Sequence, residues 1–209
     1  MPLFFGLSSR DFSSPDLDPR PHPLGVYLRL PRPLIRQVWQ AYYPHWQLTL
    51  ANPAQKLVSL LGEKKLTLAT AESATAGAIA SAIADIPGAS RVLLGGVVAY
   101  TARAKNELLG LVPADLSPGC VGKELSEKMA GAVKDALQAD LAIGLTGALG
   151  PTSPAPEIPV GTVYIAVAGW GAWEARKFIF TGDRETNKKA AVAAGLNFLL
   201  TFFARWYVA

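Results

Sequence analysis

Apolar and polar positions along the chain fall into blocks of two periods. AQKLVSLLGEKK, from Ala54 to Lys65, repeats apolar residues at helical spacing and predicts a short helix ending near Gly62. LTLAT (66–70) predicts a strand. Residues 75–85 predict a helix of small residues, stopped by the turn Ile86–Pro87–Gly88. VLLGGVVAYT (92–101) is a continuous apolar run with polar flanks, the pattern of a strand buried on both faces. RAKNELLG follows as a short helix with Gly110 at its C-terminal cap. In KELSEKMAGAVKDALQA (123–139), Leu125, Met129, Ala132, Val133 and Leu137 share one helical stripe. Then come a strand LAIGLT, a Gly/Pro-rich loop over 146–159, strands VGTVYIAVAG and WEARKFIFTG, and a closing helix from about Arg184. This order predicts an α/β fold, a three-layer α/β/α sandwich with a mixed sheet.

The pattern fails before residue 54. Residues 1–53 hold nine of the sixteen prolines, with clusters at PRPHP and PRP. Proline fixes φ and removes a donor, so a Pro-rich irregular arm is expected over 1–53, ahead of a domain at 54–209. Its WQAYYPHW piece could dock aromatics on that domain.

Composition narrows the function. With 209 residues, half of them hydrophobic and 17% charged, the chain suits one domain with a full core. The net charge of +4 is thinly spread: five Arg against three Asp in 1–53, fifteen basic against thirteen acidic residues beyond. No basic stripe with interleaved aromatics appears, which argues against nucleic acid as partner. A single cysteine, Cys120, excludes a disulfide framework and fits a reducing, cytoplasmic setting. Both histidines, His22 and His45, lie in the arm, so the domain has no imidazole for a Ser-His-Asp arrangement. MPLFFGLSSRDF lacks the basic start and apolar run of a signal peptide. Ala190–Ala209 is long enough to span a bilayer, but Asn197, Thr201 and Arg205 interrupt it. A charge near mid-span costs about 2.5–3.5 kcal/mol, so a packing or dimer helix is expected rather than a membrane segment.

Two stretches carry candidate chemistry. TAESATAG (70–77) puts Ser73 where a strand hands over to a helix. A serine there either caps the helix or attacks a substrate whose oxyanion the first-turn N–H groups would meet. YTARAK ends the next strand-like run, so parallel neighbouring strands would bring Ser73, Tyr100 and Lys105 to one sheet edge. Lys105 is either a solvated helix lysine or a base. As a base it must be neutral, which at pH 7 costs about 4.6 kcal/mol unless burial or a nearby cation lowers its pKa. GLTGALG (144–150) follows a buried strand, where backbone N–H groups can face a ligand. No G-x-S-x-G, S-x-x-K, Walker A or H-E-x-x-H pattern occurs.

TAESATAG, DIPGASRVLLGGVVAYTARAKNELLG, ADLAIGLTGALGP, PVGTVYIAVAG and FTGDR, in this order, resemble the C-terminal domain of the CinA (competence/damage-inducible) family over about residues 55–205. The resemblance implies an amidohydrolase that converts nicotinamide mononucleotide (NMN) to nicotinic acid mononucleotide and ammonia, with no metal and no cofactor. Carried over by position, Ser73 is the nucleophile, and Lys105 and Tyr100 activate it. Glu72, Ala74, Thr75, Thr146, Gly147 and Arg184 are then substrate-binding, with Arg184 placed to meet phosphate. The resemblance also implies a small-molecule nucleotide as partner and a homo-oligomer. The family block usually reads ESCTGG, so Ala74 and Ala76 stand for Cys and Gly here. If residue 76 needs a positive φ, the added Cβ could crowd the oxyanion site. Two alternatives remain beside this reading: a catalytically impaired nucleotide-binding or regulatory module, or an amidase for another carboxamide.

Overall fold

Asn52 accepts the N–H of Ala54 at 3.1 Å and Pro53 fits the first turn, so helix α1 runs Pro53–Lys64. It passes through Gly62, where the sequence suggests its end, and stops two residues later at Lys64, capped by left-handed Lys65. The computed structural model describes residues 52–116 and 118–207. The arm expected over 1–53 lies outside them except for its last two residues.

Five strands follow: β1 Leu68–Glu72, β2 Leu93–Val98, β3 Leu141–Gly147, β4 Thr162–Gly169 and β5 Ala172–Ile179. Their order is β2-β1-β3-β4-β5, with β1 parallel to β2 and β3, and the β3–β4 and β4–β5 pairs antiparallel. The mixed sheet expected from the sequence is present. The helices are α1, α2 (Ala78–Ala84), α3 (Ala102–Leu109), α4 (Lys123–Leu137) and α5 (Arg184–Trp206).

Strand alternation sorts the core into two unequal halves. Leu68, Leu141, Ile143, Leu145, Val163, Ile165 and Val167 face α1, α2 and α5 with large side chains. Ala69, Ala71, Ala142, Ala166 and Ala168 face the other way, where the buried residues of α4 pack on them. Small residues on that face let α4 approach the sheet closely. Leu196, Phe198, Leu199, Phe202 and Phe203 bury the stripe of α5, as expected of a packing helix. Among the described residues, no helix is long and apolar enough to cross a membrane.

One strand departs from expectation. The apolar run at 92–101 is not buried on both faces: β2 is an edge strand, and Leu94, Gly96 and Val98 are exposed in alternation. Apolar composition marked a strand there but not its place in the sheet. Helix α2 is also shorter than 75–85, because residues 73–77 form a turn that ends in left-handed Ala76 and Gly77.

Candidate active site

Ser73 follows the last residue of β1, and its N–H still donates to Leu145 C=O at 2.9 Å. The ladder therefore holds it in register, on the same side as Ala69 and Ala71. Glu72 points the opposite way, toward α2. Its carboxylate accepts from Thr75 Oγ1 (2.6 Å), Ile79 N–H (3.0 Å) and Ala80 N–H (2.9 Å). The capping duty that Ser73 could have had thus falls to Glu72. The formal N-cap, Gly77, has no side chain to offer. Ser73 is left for other work.

That work lies toward α3. Thr101 caps this helix through Oγ1 (3.1 Å from Ala104 N), and Gly110 closes it at φ 67°, as the sequence predicts. Between them, Lys105 and Leu109 share the inward stripe. Lys105 is completely buried, and its Nζ lies 3.0 Å from Ser73 Oγ and 2.9 Å from Ala99 C=O. It is not a solvated helix lysine. Burial pulls its pKa below the ordinary lysine value, outweighing an opposing electrostatic influence of Cys120.

Both groups open on a cavity of about 230 Å³ lined also by Ala74, Tyr100, Cys120, Gly147, Gly150 and Arg184. Its lining contains no carboxylate, and Arg184 gives it one permanent cation, so it favours an anionic ligand. Among the described residues, no backbone acceptor pairs with the N–H of Ala74, beside the nucleophile. Ala76 does take φ 52°, but it is exposed and absent from the lining, so its Cβ does not crowd the cavity.

The residues singled out from sequence thus divide. Ser73, Ala74, Tyr100, Lys105, Gly147 and Arg184 line one cavity. Glu72, Thr75 and Thr146 do not, because internal partners take up their polar atoms. Tyr100 also departs from its expected contact. It lies two residues beyond the edge strand, half exposed, and its hydroxyl accepts from Arg184 Nη2 at 2.9 Å rather than meeting Lys105. Arg184 Nη1 donates to Gly150 C=O at 2.6 Å, so the pair spans the cavity mouth.

Two residues of the site were not assigned to it from the sequence. Asn187, buried, donates to Leu149 C=O (3.2 Å) and Gly182 C=O (2.8 Å), tying α5 to the mouth loop. Cys120 lines the cavity from a left-handed turn, with φ 65° at Gly119 and 54° at Cys120. A PGC turn between helices gave little signal for it. Thr146, fully buried, holds that turn by donating to Cys120 C=O at 2.6 Å. Thr146→Val should cost about 1–2 kcal/mol in urea unfolding, because the carbonyl loses its donor. No loss of stability would show the turn to be held by other contacts.

The CinA C-terminal domain family matches residues 50–203. A CinA-like protein of Chlorobaculum tepidum is 40% identical over 150 residues, 69% of this chain and 36% of its own. One from Geotalea daltonii is 44% identical over 135 residues, 64% of this chain and 32% of its own. The chain spans about a third of the length of these curated relatives. The crystal structure of a competence-damaged protein (CinA) superfamily protein from Escherichia coli matches with a TM-score of 0.70 at 31% identity. That match covers 72% of this chain and 88% of the other.

Proposed function

This chain belongs to the CinA C-terminal domain family, and from that premise we propose that it hydrolyses the carboxamide of NMN to nicotinic acid mononucleotide and ammonia. The carrying observation is the 3.0 Å approach of Ser73 Oγ to the Nζ of a fully buried lysine. The Arg184 guanidinium at the mouth of a cavity without carboxylates suits a substrate with a phosphate.

In this reading Lys105, as the neutral amine, takes the Ser73 proton while Oγ attacks the amide carbon. The N–H of Ala74 meets the developing oxyanion. The Lys105 ammonium then returns the proton to the leaving nitrogen as the C–N bond breaks, and ammonia departs. The acyl group remains as an ester on Ser73. Water, deprotonated by the same amine, attacks that ester; the ammonium then gives its proton to the departing Ser73 Oγ, which frees the carboxylate and restores both groups. Tyr100 has no part in proton transfer here; with Arg184 it frames the mouth. Cytoplasmic location and self-association belong to the same reading, and sedimentation would measure the latter.

Purified protein should release ammonia from NMN, and a folded Ser73→Ala variant should not. Saturable NMN binding without ammonia would favour the impaired-module reading, and turnover of other amides alone would favour a different carboxamide. The rate should also depend on pH with a definite sign. Only the neutral amine is competent, so kcat/KM should climb with pH along a limb centred below the ordinary lysine value of about 10.4. Stability follows the same sign. The folded state binds fewer protons than the unfolded state between the two lysine pKa values, so this group's contribution rises with pH across that window. A flat profile through the window would exclude Lys105 as the base.

A further inference from the structure

We propose that Glu72 is a positioning residue for Ser73: its buried carboxylate fixes the turn that presents the nucleophile and touches no substrate. This rests on the amidohydrolase reading for its rate readout only. Glu72 is fully buried between β1 and α2 and is absent from the cavity lining. Its oxygens take three donors across eight residues: one oxygen holds Thr75 Oγ1 and Ile79 N–H, and the other holds Ala80 N–H. Its own C=O accepts from Ala99 N–H at 2.9 Å, and Ala99 C=O in turn accepts from Lys105 Nζ. One residue therefore fixes both ends of the Ser73–Gly77 turn and, through its backbone, the carbonyl that anchors the amine.

The turn needs such a clamp. It contains two left-handed residues, Ala76 at φ 52° and Gly77 at φ 89°, and α2 has only seven residues and no side-chain N-cap. A helix this short is marginal alone. Without the carboxylate, two first-turn N–H groups and the Thr75 hydroxyl lose their acceptor, and the turn can relax. A shift of about 1 Å at a reacting atom is enough to lower a rate by roughly 10²-fold.

Glu72→Gln tests this, since an amide NH2 replaces one acceptor and must face an N–H donor. Crystal structures of wild type and variant would be compared alongside NMN kinetics. The expected result is loss of the 3.0 Å Ser73–Lys105 approach, with kcat down about 10²-fold and KM changed less than about threefold. A rise in KM with kcat kept would mean that Glu72 binds substrate, and an undisturbed turn would mean that it positions nothing. Either result overturns the proposal. If wild type leaves NMN untouched, the amidohydrolase reading falls while the crystal comparison still decides this one. Should Glu72→Gln fail to fold, Thr75→Val and Thr75→Ser serve in its place. Serine keeps the donor to Glu72 and should keep the turn and the rate. Valine should lose both, and equal behaviour of the two overturns the clamp.

Discussion

Under the proposed function, Lys105→Met is expected to remove about 10²–10⁴-fold of NMN turnover while leaving the fold in place, and Lys105→Arg to be no better. Methionine keeps the length of the side chain and discards the amine. It also relieves the burial that opposes a charge at this position, which offsets the donor lost by Ala99 C=O. The melting temperature should therefore move little. Arginine separates two roles that a single deletion confuses. A guanidinium supplies a permanent cation but cannot lend a lone pair at any accessible pH. If the lysine served only to attract an anion, arginine would preserve much of the rate. If it draws the proton from Ser73, both variants fall together. Ammonia release measured for the three proteins at one saturating NMN concentration decides it, and an active arginine variant would end the general-base account.

The fold was legible where periodicity alone determines it. Helix α4 and strands β3 and β4 announce themselves by stripe and run, and the C-terminal closure of α3 by Gly110 follows from one residue. Position within the sheet was not legible. VLLGGVV looks like an interior strand because nothing polar interrupts it, yet pairing on one side only makes it an edge. The site shows the same division. That Ser73 and Lys105 could meet followed from two strands ending together. That Glu72 would turn away from Ser73 depends on strand alternation carried one residue past β1, and that Tyr100 would pair with Arg184 depends on a helix 84 residues away. Side chains that hold backbone next to the cavity, such as Thr146 on Cys120, 26 residues away, look like ligand contacts in sequence because they sit beside the site.

GLTGALG illustrates how a spacing can mislead, and it yields the largest stability effect expected here. Its three glycines answer three separate demands. Gly150 needs φ 97°, and a Cβ on Gly147 would meet Thr162 C=O at 2.8 Å. Gly144 sits under α4: a Cβ there would lie 2.6 Å from Ala130 N and closer still to Ser126 C=O. Both neighbours are helix backbone, which cannot rotate aside. Gly144→Ala must push α4 off β3, and with it loosen the packing of α4 on Ala69, Ala71, Ala142, Ala166 and Ala168. Overpacking of this kind costs about 3 kcal/mol, or a fall in melting temperature of roughly 6–12 °C for a domain of this size. Gly110→Ala is the matched control. It has φ 67° and no atom within 4 Å of its added Cβ, so it carries conformational strain of about 1–2 kcal/mol and no clash. A melting temperature for Gly144→Ala no lower than that of Gly110→Ala would mean that α4 can retreat without loss. The close approach of helix to strand would then not be what holds β3, and with it the Leu145 carbonyl that keeps Ser73 in register.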